Sequence, residues 1–478
     1  MSCIRHNGGY EFRRKLPFFP QPDSLGALRN VTSRTLQHQI SAKTIWTIAA
    51  PLVISGFNET IIEVSDTAFL ARVGVIELGA AGVAYSIYHA AKFFMIGLGD
   101  GIQILTARRA GQTREQDIGN VFNHGLSILL AIAVVLFVGL RYVAPLVTPS
   151  VLRSTEVRIA VDEFLAIIAF AVFFDALNYT YSAFYAGMGR TKVFIVATIV
   201  MTAINLVTDY ALILGRLGFP RLGIRGAAIS SVIAEITIFV LLTAGALRQG
   251  HIRRFGLFRL RLLQASLTKL LLQLCTPLAL ERLVGTARWF LFFLIIERAG
   301  ETPLAIANII YSCYAVFLII IDGFSETNCT LVSNLIGQDQ SERINAVTRS
   351  VMLWSAVCIS PFLLIAVLFP TVVLSLFTSD PNLLHGSVNS LRIIGVAVLA
   401  AIPGELVFSA LIGTGDTRAT LAIEFLLAVC VVAYVFGAAL VFELPLEIVW
   451  VAEIIGWLLS LGLSFARLSG KQWKRVYI

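Results

Sequence analysis

At residues 58–69 the chain reads NETIIEVSDTAF. Glu59, Glu63 and Asp66 are spaced four and then three residues apart, which on a helix aligns three carboxylates on one stripe. Their neighbours are largely apolar. A carboxyl held away from water needs a proton, a cation or a donor beside it. A group that takes up and releases a proton or a sodium ion changes its charge, and that is the chemistry of ion coupling.

More groups of this kind follow. AINLVTDYALILG places Asn205 and Asp209 four residues apart, on one helix face. Asn178 lies in DALNYTYSAF, and Ser230 and Ser231 follow GIRGAA. Two carboxylates, two amides and a hydroxyl can form an oxygen-rich nest for Na+ or a shared proton. Each also has a structural reading: the amides can join helices, and the serines can simply allow close packing. Glu59 and Glu63 fit either an extension of the ion site or the wall of a wet cavity. Further acids lie in the second half of the chain, at Glu281, Asp322, Glu326, Glu405 and Glu424, with Arg282 and Arg288 placed to neutralise Glu281 or its neighbours.

These residues sit in a chain of 478 that is 57% hydrophobic and 14% charged, with a mean hydropathy of +0.82. Soluble proteins carry roughly 25% charged residues, so the composition points to an all-α integral membrane protein. Hydrophobic segments predict about twelve spanning helices, near 43–70, 78–107, 119–142, 157–186, 192–215, 224–247, 268–297, 304–333, 345–375, 384–413, 418–440 and 447–470. The polar, basic residues 1–42 form a tail without a cleavable signal, residues 248–267 a basic linker, and 471–478 a short C-terminal tail. With twelve spans the termini share a side. Most of the 37 Lys and Arg fall on that side, which places both termini in the cytoplasm and the protein in the plasma membrane. The same bias accounts for the net charge of +8 without nucleic acid, and the run RQGHIRRFGLFRLR is expected to lie against anionic headgroups.

The chain also repeats itself. GQTREQDIGNV begins at Gly111 and GQDQSERINAV at Gly337, 226 positions on. Pro51 and Pro277, Tyr85 and Tyr311, Tyr88 and Tyr314, Gly97 and Gly323, and Asp100 and Glu326 keep the same offset, as do GMGRTK and GTGDTR. Two six-span halves, 43–247 and 268–470, related by an axis along the membrane normal, are expected to enclose a midplane cavity. The first-half acids are not part of this shared scaffold: the offset carries Asp66 onto Phe292, Glu63 onto Trp289 and Glu59 onto Gly285. Tyr85, Tyr88, Tyr311 and Tyr314 could line the cleft and attract organic cations, or serve packing and interface anchoring.

No GxxxxGK[ST] phosphate loop, HExxH or G-x-S-x-G occurs, and the six cysteines form no CxxC pair, so neither an enzyme nor a metal or other cofactor is expected. Taken in order, the in-span prolines, SDTAFLARVG, GLGDGIQILTARRAGQ, GMGRTK, INLVTDYALILG, LGIRGAAIS and GTGDTR resemble the multidrug and toxic compound extrusion (MATE) family. That resemblance implies twelve helices in two pseudo-symmetric six-helix lobes. It implies export of amphipathic, often cationic organic compounds by antiport with Na+ or H+, and a monomer in lipid. It assigns ion coupling to Asp66, Asn205 and Asp209, with Asn178 and Ser230 or Ser231 beside them. Some members carry a second-lobe site in the spans that here hold Glu281 and Glu405, whose offsets depart from the pattern. A flippase for lipid-linked precursors on a related fold is the alternative, and it requires a larger and more basic cleft.

Overall fold

The structure is a computed structural model that describes residues 41–259, 264–470 and 472–475. The expected N-terminal tail lies outside these residues, apart from its last two positions. Among them the chain is helical, without strands. Its long helices are α1 (Ala42–Ala71), α2 (Val75–Gly111), α3 (Glu115–Val151), α4 (Thr155–Ile168), α5 (Ala171–Gly187), α6 (Lys192–Leu212) and α7 (Ile224–Arg248) in the first half. The second half holds α8 (Ala265–Ala299), α9 (Glu301–Gly337), α10 (Ser341–Leu368), α11 (Pro381–Thr414), α12 (Thr417–Val441) and α13 (Leu446–Ser469).

Nine of these helices are long and apolar enough to cross a membrane. The others include α2 and α8, which run 37 and 35 residues but carry charged side chains along their length. The expected 157–186 span is two helices, α4 and α5, joined by a single tight turn at Ala169–Phe170. α3 passes through a π-turn at Gly139–Val143 and so runs well beyond the expected 142. Large apolar side chains such as Leu364, Leu368, Phe290 and Phe425 stand more than half exposed on the outside, as a lipid-facing surface requires.

In lipid, apolar burial does not drive helices together, so association rests on close van der Waals packing and hydrogen bonds. The repeat supplies such contacts. A Cβ added to Gly97 on α2 would lie 2.5 Å from the backbone of Ala279 on α8. The offset partner, Gly323 on α9, meets Val53 on α1 in the same way, at 2.9 Å from its backbone nitrogen. Gly111 and Gly337, also repeat partners, touch each other where α2 and α9 end. Around that contact Ser333 donates to the Ile104 carbonyl (2.8 Å), Asn334 to Ala107 (3.1 Å) and Gln103 to Thr330 (2.9 Å). Arg108 donates to the last carbonyl of α11, Thr414 (2.8 Å). The two halves are thus sutured along α2 and α9 by small residues and polar pairs.

The basic run packs back onto α3 as far as residue 259. Phe255 and Leu257 are buried, and Asn123 donates to the Gly256 carbonyl (2.9 Å). His251 accepts from Arg190 of the GMGRTK turn (2.5 Å). Burial, with the Arg190 and Arg254 charges, pushes the His251 imidazole down to about 3.

Candidate functional site

α1 and α6 pack along each other, and α6 packs on α7. This brings Asp66, Asn205, Asp209 and Ser230 into one buried region, each at most 1% exposed. The Asp66 and Asp209 carboxyls adjoin one another. The Tyr85 hydroxyl, from α2, donates to Asp66 Oδ2. Asn205 donates to Ser230 Oγ (3.1 Å), and the Thr208 and Ser230 hydroxyls lie 2.5 Å apart. Among the described residues, Asp66 Oδ1, both carboxyl oxygens of Asp209 and Asn205 Oδ1 are buried without a donor in good hydrogen-bonding geometry, with the Ser230 hydroxyl beside Asp209. Two ionised carboxylates offer each other only acceptors. A proton or a cation between them is what this arrangement can hold.

A second polar network occupies the same half. Lys92 on α2 forms an ion pair with Asp175 on α5 (3.0 Å), and the Tyr88 hydroxyl donates to the other Asp175 oxygen (2.5 Å). Asn178 belongs here, apart from Asn205: its amide donates to Glu235 Oε2 (2.8 Å) and to the Glu235 carbonyl (3.0 Å) on α7. The Lys92 ammonium also faces the rings of Tyr88 and Tyr179. Glu59 and Glu63 are water-accessible, and Glu63 lies 3.6 Å from His89, itself exposed. Ser231 donates to the Ala227 carbonyl (3.1 Å) and lies beside the Tyr85 hydroxyl that bonds Asp66, without a hydrogen bond to Asn205.

A cavity of about 270 Å³ lies between the second half and α2 of the first. Seven carboxylates and two arginines line it. Arg288 on α8 is held by Glu453 (3.1 Å) and Glu424 (3.6 Å). Arg282 pairs with Asp100 (3.2 Å), a residue of α2, so this ion pair ties the halves together. Glu405 accepts from Ser325 (2.6 Å), while Glu281, Asp322 and Glu326 line the cavity without an ion-pair partner among the described residues. Arg282 and Arg288 thus form ion pairs with neighbouring acids, one of the two arrangements expected from the sequence, and neither ion-pairs with Glu281 itself among the described residues. Tyr314 is fully buried and its hydroxyl lies between Trp457 (2.6 Å) and Glu453 (3.4 Å). Tyr311 stacks edge-on against Trp289, at 4.8 Å.

Glu235 and Glu453 are polar members of these networks that the motif reading did not single out. Each is an acid set in an apolar stretch, in VIAEITIFV and VWVAEIIGW, and an acid among apolar neighbours is a signal that could have found them.

Comparison with known proteins adds three findings. The MatE family model matches the chain twice, at residues 51–211 and 277–438, and the two starts differ by the same 226 positions. A probable multidrug resistance protein NorM of Thermotoga maritima is 24% identical over 391 residues, covering 80% of this chain and 82% of the relative. A probable multidrug resistance protein YoeA of Bacillus subtilis is 25% identical over 343 residues, covering 70% and 73%. Among solved structures, a MATE crystal structure in the straight conformation superposes with a TM-score of 0.84 at 19% identity, covering 93% of this chain and 99% of that one.

Proposed function

The chain belongs to the MatE family, and from that premise we propose that it is a secondary active multidrug efflux transporter of the plasma membrane. It exports amphipathic, cationic organic compounds by antiport with Na+ or H+ through alternating access of its two halves. The observation that carries this reading is the apposition of Asp66 and Asp209, buried, with carboxyl oxygens left short of donors among the described residues.

The coupling logic follows from charge. With a proton or sodium ion between Asp66 and Asp209 the pair is stable away from water; without it the site favours an arrangement that admits solvent. An ion that binds one arrangement better than the other shifts the balance between them by that difference in affinity. Asn205 and Ser230 orient the site, and Tyr85 ties it to α2, the helix that also crosses α8 and α9. Movement of α2 is therefore linked to the state of Asp66. The cavity, with seven acids against two paired arginines, suits a cationic substrate. It argues against the flippase reading, since phosphate-bearing lipid precursors need the opposite lining. Substrate efflux from proteoliposomes under imposed Na+ or pH gradients tests the proposal; an absence of gradient-driven export refutes it.

A further inference from the structure

The two cavity arginines differ in how firmly they are held. The Arg288 side chain is 15% exposed and has two carboxylate partners. The Arg282 side chain is 45% exposed, has the single partner Asp100, and that partner is on the other half. A water-accessible ion pair resting on one carboxylate oxygen, which here takes two long N–H contacts at 3.2 and 3.3 Å, is cheap to break. Beside it, Glu281 is 8% exposed, lines the cavity, and makes no hydrogen bond or ion pair among the described residues. Its carboxyl opens onto the cavity within reach of the Arg282 charge, so a cation entering there competes with that guanidinium. Asp322 and Glu326 face the same space, likewise without ion pairs among the described residues. The offset places Gly56 where Arg282 would recur in the first half. Nothing in the repeat therefore requires a guanidinium here.

We propose that Arg282 is a built-in competitor for the cationic substrate: it occupies the acidic cavity while paired with Asp100, and an organic cation settling on Glu281, Asp322 and Glu326 displaces its charge and loosens the α2–α8 tie. Arg282 is then a specificity-determining residue. It screens the cavity against weakly held inorganic cations and makes the link between the halves respond to occupancy. This rests on the transport reading for its purpose, but its test is binding alone.

The experiment is equilibrium binding of tetraphenylphosphonium to the detergent-solubilised full chain at fixed ionic strength. Arg282→Gln removes the competitor, and affinity is expected to rise on the order of tenfold. Asp100→Asn frees Arg282 to turn onto Glu281, and affinity is expected to fall several-fold. A merely structural ion pair moves both variants in the same direction, and that result, or an unchanged affinity in Arg282→Gln, overturns the inference. If Arg282→Gln does not yield folded protein, Glu281→Gln and Asp100→Asn carry the test, and both must weaken binding. Wild-type protein that binds no cation overturns it too. Opposite shifts in a protein that exports nothing uphold this assignment while removing the transport reading. Export with binding indifferent to Arg282 does the reverse.

Discussion

Lys92 Nζ lies 3.0 Å from Asp175 Oδ1, joining α2 to α5 through an ion pair whose side chains are 11% and 3% exposed. Removing one partner of such a pair strands the other charge away from water. Lys92→Met is expected to cost about 3–5 kcal/mol of stability, read as a lowered thermal unfolding midpoint in detergent. The double variant Lys92→Met, Asp175→Asn should recover most of that loss, because neither charge is then left alone. Equal losses in the single and double variants would show that the side chains act by packing.

The crossing of α2 on α8 depends on the absence of a side chain at Gly97. Gly97→Val places carbon against the backbone of Ala279, which cannot give way as a flexible side chain can. The expected cost is at least about 1–3 kcal/mol, with transport lost. Gly79, on the same helix, has nothing within 4 Å of an added Cβ. Gly79→Ala should leave stability the same or raise it by up to about 1 kcal/mol. Measuring the two side by side separates the crossing from helix propensity.

His251 predicts a pH dependence. Its folded value of about 3 lies below the roughly 6.5 of an unfolded chain. The unfolded state therefore binds the extra proton first as pH falls. The contribution is fully present above about pH 6.5 and is lost progressively toward pH 3, at no more than about 1.4 kcal/mol per pH unit. His251→Gln can still accept from Arg190 and does not titrate. Its unfolding midpoint should fall less than that of the wild type between pH 7 and pH 5, and equal slopes would contradict the assignment.

Much of the fold is legible in the sequence because lipid writes it there. Long apolar runs mark the helices, and the 226-residue offset that links Gly97 to Gly323 also links the two close crossings they make. The break between α4 and α5 carries no proline or glycine at Ala169–Phe170, and so left no local signal. Within the site, the four-residue spacing of Asn205 and Asp209 puts both on the buried face of α6. Their approach to Asp66 is a tertiary fact, set by how α1 and α6 cross. Asn178 shows the limit: its sequence neighbourhood cannot say whether it faces Asp209 or Glu235, and the structure pairs it with Glu235. Lys92 reads in sequence as an isolated cation, and only the packing of α2 on α5 supplies Asp175.

The most direct measurement is organic-cation efflux from proteoliposomes energised by an imposed Na+ or pH gradient, comparing wild type with Asp66→Asn. The wild type should drive the cation against its own gradient with one of the two ions. The variant should bind the cation yet export it uphill at less than about a tenth of that rate, because an amide beside Asp209 cannot take up and release a positive charge. Full-rate uphill export by Asp66→Asn would contradict the account.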